Sequence, residues 1–456
     1  MATRTHVDLA PLRERHRGVV LGPGDLAWDG ARQAWQLAVD QHPAVIAVPE
    51  SESDVAAAVD FAREAGLRVA PQATGHNPGA LAPRLADALL LKTGRLVGVE
   101  IGSRHARVGG GARWEEVVMR AQARGLAALH GSSPTVGVAG YSLGGGLGWL
   151  GRRHGLQANS VTAVELVTAG GEVVRADEST ETDLFWALRG GSGNFGVVTA
   201  IEFELQPIAH VQAGCLVWDW HDSQRVLRRW ADWTQEAPDD VTTSARIMQF
   251  PPLPAFPEPL RGRNVVMIDG AVVGDAGRAD RLLRPLRELS PELDTFATVP
   301  AAELRRLHGD PEEPITAGSD HRMLTELPPD AVDAFVAAAG PGSGSPLTLA
   351  ELRQLGGALG RRPERHGALA TLDAAFLTVA VAIAPDPDSA DAGAAAAQRL
   401  SAALEPWTSE RRYLGFTSKP VDARLGFEPG AYGRLQRIKT AVDPDGVFLA
   451  NHPIVP

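Results

Sequence analysis

The chain has 456 residues, 44% of them hydrophobic and 22% charged, with 49 Gly, 33 Pro and a formal net charge of −11. That length exceeds one ordinary core and predicts two domains of a globular, turn-rich enzyme. The acidic balance excludes nucleic acid or an anionic membrane as partner, since both need a basic surface, while the single cysteine, Cys215, excludes an intramolecular disulfide and suits a reducing, cytoplasmic address.

Residues 1–36 carry little periodic apolar pattern, so a partly ordered lead-in is expected, with Trp28 and Trp35 packing on the first domain. Its start, MATRTHVDLAPLRERHRG, lacks the apolar core of a signal peptide, and nowhere do about 18 apolar residues run together as a membrane span requires. Residues 44–48 read as a buried strand. A helix comes next, capped by Ser51 or Ser53, with Val55, Val59 and Ala62 on one face and Gly66 as its stop. Residues 67–70 form the next strand, so a βαβ unit delivers the loop 72–78 (QATGHNP) from its carboxyl end. Strands are predicted at 88–91, 96–101 and 106–109, and an amphipathic helix at 114–124 ended by Gly125. Alternation on both sides of Gly170 and Gly171 predicts a hairpin, then a short helix at 182–189 and a strand at 197–205.

Near Pro207 the texture changes. Residues 211–220 and 263–273 alternate like antiparallel strands, 376–383 reads as a further strand, and helices are predicted at 223–233, 276–289, 329–339 and 390–404. Five prolines between Pro251 and Pro259, and GPGSGSP at 340–346, mark long connections. This part is expected to be an antiparallel sheet with helices on one side. The tail from Tyr432, YGRLQRIKTAVDPDGVFLANHPI, is a basic helix stopped by DPDG and then a short apolar run.

Residues 133–155 (SPTVGVAGYSLGGGLGWLGRRHG) place glycines at 137, 140, 144, 145, 146, 148 and 151, more than packing usually demands. A run of backbone N–H groups with no side chains in the way is how proteins cradle a pyrophosphate. A second glycine loop stands at 190–198 (GGSGNFGVV). Two literal G-x-G-x-x-G strings, Gly146/Gly148/Gly151 and Gly191/Gly193/Gly196, lack the strand, turn, helix and distant acid of a nicotinamide fingerprint; the second even comes after a helix and before a strand. G-x-S-x-G at 140–144 matches a hydrolase elbow literally, but the glycines continuing to Gly151 make a poor helix start. His76 taken alone reads as a turn histidine bonded to its neighbours, and no metal-ligand cluster is evident.

Together these three segments resemble the PCMH-type flavin-binding domain of the berberine-bridge-enzyme-like oxidoreductases, within the vanillyl-alcohol-oxidase superfamily. The resemblance runs over about 38–207 and returns at 413–456, and the GHNP wording is closest to the 6-hydroxynicotine-oxidase-like bacterial members. It implies an α+β fold: a lead-in (1–37), an FAD-binding domain of two α+β subdomains (38–207), an antiparallel substrate cap (208–405) and a C-terminal segment returning to the FAD domain (406–456). Cofactor contacts are implied at Ala73, Thr74, Gly75, His76, Asn77, Pro78, Ser133, Val136, Gly137, Gly140, Tyr141, Gly144, Gly145, Gly148, Gly193, Gly196, Val197, Val198 and Asn451. His76 takes the place of the histidine that bonds covalently to the flavin 8α carbon, which a neutral imidazole nitrogen can attack.

Doubly linked members carry a cysteine before Pro-Thr-Val-Gly. Here that residue is Ser133, which forms no thioether, so attachment at His76 alone is expected. The family's Gly-Gly-His reads Ala139-Gly140-Tyr141, and its Tyr-x-Asn reads Tyr413-Leu414-Gly415. The group that takes the substrate proton is therefore left open among Tyr413, Tyr141 and Asp373, with His452 a further candidate. The cap shows no obvious basic pocket, so a phosphorylated substrate is not expected. The implied activity is hydride transfer from an alcohol, amine or C–H of a small molecule to FAD, with dioxygen reoxidising it to hydrogen peroxide. A flavin dehydrogenase using another acceptor, and a non-catalytic flavin carrier, stay open.

Overall fold

The βαβ unit forms where the apolar runs place it, and it gains an edge strand from the lead-in. The computed structural model describes residues 7–252 and 258–455. In its first sheet, Val45–Val48 and Arg68–Gln72 lie parallel on either side of Ala88–Lys92, and Val19–Leu21 pairs antiparallel with Val45–Val48. The connecting helix Glu52–Glu64 is capped by Ser51, whose Oγ accepts from the Asp54 amide at 3.2 Å. Gly66 ends it at φ +66°, the left-handed conformation that favours glycine.

The lead-in is more ordered than its sequence suggests. A helix, Ala10–Arg15, precedes the edge strand, and Trp28 is buried beside Ile46, Ala70 and Leu81. A three-residue strand is too short to show a period; its ladder to Val45–Val48 supplies the order. Residues 1–6 lie outside the described residues.

The second sheet is antiparallel, in the order Val99–Ile101, His105–Gly109, Val197–Glu204, Val161–Val167, Val173–Asp177. Its first strand starts later than expected, because Gly98 at φ +142° breaks the extended run after Leu96. Helices Trp114–Gln122 and Thr182–Gly191 add Trp114, Val117, Phe185 and Leu188 to its core.

From His210 a third, eight-stranded antiparallel sheet takes over. Helices Ser223–Glu236, Ala276–Arg287, Pro329–Ala339 and Pro387–Ala403 cover one of its faces, burying Trp218, Trp230 and Phe335. Three of its strands, Val241–Gln249, Ala317–Leu324 and Leu349–Gln354, are not evident from the sequence pattern, since their other face carries Ser244, Arg246, His321, Glu351 and Arg353. Of the proline-rich connection, residues 253–257 lie outside the described residues.

The tail closes the chain on itself. Helix Pro429–Val442 ends at Asp443, whose carboxylate accepts from the amides of Val447 (2.7 Å) and Phe448 (3.0 Å). This turn lays Val447 and Leu449 against Val69 of the first sheet, through Val69 N to Val447 O and Leu449 N to Val69 O. The whole is an α+β architecture of two small sheets and an antiparallel cap with helices on one side.

Candidate active site

The loop 72–78 leaves the carboxyl end of strand Arg68–Gln72 and turns at Gly75, where φ is +76° and a Cβ would stand 2.8 Å from that of Ala34. The turn aims His76 between two partners. Its ring stacks on Trp35, centroids 4.0 Å apart and planes at 17°, and its Nε2 lies 3.1 Å from Thr135 Oγ1. Burial pushes the imidazole down to about 4, so it is neutral at physiological pH. Thr135 Oγ1 is in turn 3.1 Å from Ser133 Oγ.

The tail joins the same place. Asn77 Nδ2 donates to the carbonyls of Gly415 (3.2 Å) and Thr417 (3.1 Å), and Asn77 O accepts from Asn451 Nδ2 (2.5 Å). His452, beside it, points Nε2 at Thr417 O (3.2 Å), and burial lowers its pKa. Thr74 O accepts from Trp35 N, and Pro78 O closes the next turn by accepting from Leu81 N.

A Cβ on Gly137 would approach that of Ala73 to 3.2 Å, so the two glycine loops touch. Gly137 caps a short helix, Val138–Leu143, and a Cβ on Gly140 would meet nothing within 4 Å. Among the described residues, the amides of Thr74, Gly75, His76 and Asn77, and those of Ala139 and Gly140, have no protein acceptor. The two sets of free N–H groups thus stand on adjoining loops.

The other glycines do different work. Gly145 (φ +112°) and Gly146 (φ +79°) run between two phenols: a Cβ on the first would be 3.1 Å from Tyr413 Cε2, and on the second 2.6 Å from Tyr141 Cε1. Tyr413 Oη accepts from the Gly146 amide at 3.0 Å, and burial pushes it up to about 12 despite that amide and Arg353. Tyr141 meets Trp114 edge-on at 5.4 Å, and its enclosed phenol oxygen has no partner; burial, then Tyr413, hold its pKa well above the usual value. Both phenols are protonated at rest.

Several of the implied contact positions pack against protein. A Cβ on Gly148 would collide with His130 O, and one on Gly196 with Leu166, while Val197 and Val198 are buried strand residues. Val136 packs on the second sheet's core, a Cβ on Gly144 would lie 3.2 Å from Gly140 O, and one on Gly193 3.5 Å from Pro71. Asp373 is exposed in the loop before Phe376–Ile383, next to Leu372, which packs in one cluster with Tyr413. The hydrolase elbow fails, because Ser142 is buried inside helix Val138–Leu143 with no strand ahead of it.

The cap does contribute one paired cation to a cavity. Ser132, Leu147, Gly148, Trp149, Thr242, Arg353 and Gln354 line a cavity between cap and glycine stretch. Behind it, Arg246 pairs with Asp269 (2.7 Å), His308 Nδ1 with Asp269 (2.9 Å), and Arg353 Nε with Glu351 (2.8 Å), which also accepts from Ser244 Oγ (2.6 Å). Burial and Arg246 oppose charge on His308, but Glu351, Asp269 and Asp310 outweigh them and hold it at about 9. Asp310 accepts from Ser132 Oγ at 2.6 Å at the cavity rim. The signal for these residues was charge at alternate positions within apolar strands, which must be paired if buried.

Residues 43–177 match the FAD binding domain family, and residues 427–455 the berberine and berberine-like family. (R)-6-hydroxynicotine oxidase of Paenarthrobacter nicotinovorans is 35% identical over 204 residues, 44% of each chain. Glucooligosaccharide oxidase of Sarocladium strictum is 31% identical over 266 residues, 57% of this chain and 50% of that one. The chain thus spans about half the length of these curated relatives. Over nearly the whole length, the crystal structure of 6-hydroxy-D-nicotine oxidase from Arthrobacter nicotinovorans superposes with a TM-score of 0.82 at 25% identity, covering 97% of this chain and 98% of that one. The chain thus carries an FAD binding domain and a berberine-like C-terminal segment. Physcomitrella patens BBE-like 1 shares the fold, with a TM-score of 0.84 at 19% identity over 98% and 99% of the two chains.

The residues present fit FAD. The free amides of residues 74–77, 139 and 140 offer the donors that a pyrophosphate accepts from, and the neutral imidazole of His76 offers a nucleophilic nitrogen. Among the described residues no group of three or more His, Cys, Asp or Glu is placed to hold a metal, and no helix is long and apolar enough to cross a membrane.

Proposed function

We propose that the protein is an FAD-dependent oxidase acting on a small molecule held between cap and flavin domain, with FAD attached through its 8α carbon to His76 alone. The observation that carries the reading is the neutral, Trp35-stacked imidazole lying between two loops of free amides. FAD, when bound, supplies the hydride acceptor and returns its electrons to dioxygen as hydrogen peroxide. The chain's own part is to place an alcohol, amine or C–H donor against Arg353, Thr242 and Ser132 and, once a phenol has ionised, to take the donor's proton at Tyr413 Oη or Tyr141 Oη. Arg353 favours ionisation of both phenols, opposing burial. The relatives' names, hydroxynicotine and oligosaccharide oxidases, support a small polar substrate.

In this reading residues 38–207 form the FAD domain, 208–405 the cap and 406–456 the returning tail. Cys215 as the lone thiol favours a cytoplasmic address, which cell fractionation tests.

Acid precipitation of the purified protein is the first experiment. Yellow colour held in the pellet, on the peptide containing His76 and absent in His76→Ala, is the expected result; flavin released from the wild type removes the covalent claim. Anaerobic titration with alcohols, sugars and cyclic amines should then bleach the flavin, and air should regenerate it with stoichiometric peroxide. Bleaching without rapid peroxide would favour a dehydrogenase, and no bleaching a carrier.

A further inference from the structure

We infer that Thr135, backed by Ser133, is the positioning pair that prepares His76 for flavin attachment: it fixes the imidazole hydrogen on Nε2 and leaves Nδ1 as the nucleophile. The inference rests on the reading of His76 as the attachment residue.

Three contacts carry it. His76 Nε2 lies 3.1 Å from Thr135 Oγ1. With that hydroxyl oxygen accepting, the ring carries its hydrogen on the Thr135 side, and the opposite nitrogen keeps its lone pair. Trp35 stacks at 4.0 Å and 17°, which prevents the ring from turning over and exchanging its two nitrogens. The relay continues, since Thr135 Oγ1 lies 3.1 Å from Ser133 Oγ. Burial keeps the imidazole neutral, as a nucleophile must be, with Asp310 the facing acid that opposes this.

In the attachment step the Nδ1 lone pair forms the bond to the flavin 8α carbon, which loses one hydrogen as a proton, and the electron pair of that C–H bond passes to the flavin ring. The imidazole gives up its Nε2 hydrogen through Thr135 and Ser133. The flavin emerges reduced by two electrons and two protons, and dioxygen reoxidises it to yield hydrogen peroxide. Ser133, where doubly linked members have cysteine, thus acquires a role as the outer end of the hydrogen-bonded pair.

The test uses apoprotein, expressed in riboflavin-starved cells and mixed with FAD. Two quantities are tracked: total bound flavin by absorbance, and covalent flavin by mass of the His76 peptide. Thr135→Val is expected to bind FAD while forming the covalent link at least tenfold more slowly. Thr135→Ser should attach at close to the wild-type rate, and Ser133→Ala should fall between. A merely structural role would lower total binding and covalent fraction together and would not be rescued by serine. Wild-type attachment rates in Thr135→Val would overturn the inference. If Thr135→Val does not fold, Ser133→Ala and Thr135→Ser decide it: unchanged kinetics in Ser133→Ala with slow kinetics in Thr135→Ser would overturn it. Wild-type protein that binds FAD but never links it would instead overturn the His76 reading beneath it.

Discussion

At the scale of single residues, the two phenols and the guanidinium of Arg353 that acts on both set the chemistry. Tyr413 has its pKa raised from 10.0 to about 12, chiefly by burial. A raised value means that the fold prefers the protonated phenol, so the contribution to stability is present below about pH 10 and lost as pH rises toward 12. Its ceiling is about 3 kcal/mol, from about 1.4 kcal/mol per pKa unit. Thermal melts across that range should show the wild type losing stability more steeply than Tyr413→Phe; parallel slopes would show that Tyr413 is not the group responsible. If Tyr413 also takes the substrate proton, Tyr413→Phe should lower kcat by about 10²-fold or more with flavin content unchanged. Arg353 makes a second prediction. Arg353→Met leaves Glu351 buried with His308 and Ser244 as its remaining partners and removes the cation facing the cavity. KM should rise about tenfold or more and the phenol-linked limb of the pH–rate profile should move to higher pH, whereas a change confined to melting temperature would deny Arg353 a part in the site.

At the scale of elements, the cap sheet's inner face is the feature that sequence reading lost. Arg246, Asp269, Glu351 and Arg353 alternate with apolar residues along three strands, and the turn after Ala301–Arg305 brings His308 among them. His308 is raised from 6.5 to about 9, so its contribution is present below pH 6.5 and lost between there and pH 9. The melting temperature should fall across that window in the wild type and stay flatter, from a lower start, in His308→Gln. An identical pH slope in the variant would place the titration elsewhere. The contrast explains what was legible. The βαβ unit, the hairpin and the cap helices show clear periods and caps, and the glycine loops carried the flavin site because backbone conformation demands glycine at Gly75 and Gly145. Strands with charge on one face break the apolar alternation that marks a strand, and their partners, such as Asp269 for Arg246, lie 23 residues away in sequence. In the sequence Trp35 and Thr135 read only as packing and motif residues, since their approach to His76 exists solely in three dimensions. The exposure of Asp373 was illegible for the converse reason: a place just ahead of an apolar strand says nothing about burial.

At the scale of the whole molecule, two kinds of contact hold the cap on the flavin half, and their magnitudes assign different tasks to each. Ala127, Leu129, Trp149 and Leu150 from one half form a buried cluster with Ile208, Val211, Ala213, Ala271 and Leu304 from the other. Burying a large apolar side chain contributes about 1.5–3 kcal/mol, so this seam, with Leu147 and Leu156 packed on Leu355, Leu359 and Leu377, supplies adhesion. It is non-directional and leaves the cap's seating unspecified. Arg152 supplies direction: from the short helix Gly151–His154 its buried guanidinium donates to the carbonyls of Val241 (2.7 Å), Ala237 (2.9 Å) and Leu355, all at strand or helix ends of the cap. Arg152→Met keeps the seam and leaves these acceptors unpaired, at a cost of about 1–3 kcal/mol for each that stays buried. The variant should remain one particle with its flavin bound and a single unfolding transition lowered by several degrees, yet show a raised KM, because the same strands carry Thr242 and Arg353 into the cavity. Trp149→Ala should do the reverse at the seam, costing about 3–5 kcal/mol and exposing the cap to limited trypsin digestion. Should Arg152→Met instead separate unfolding into two transitions, the polar clamp and not the apolar seam would be what joins the halves.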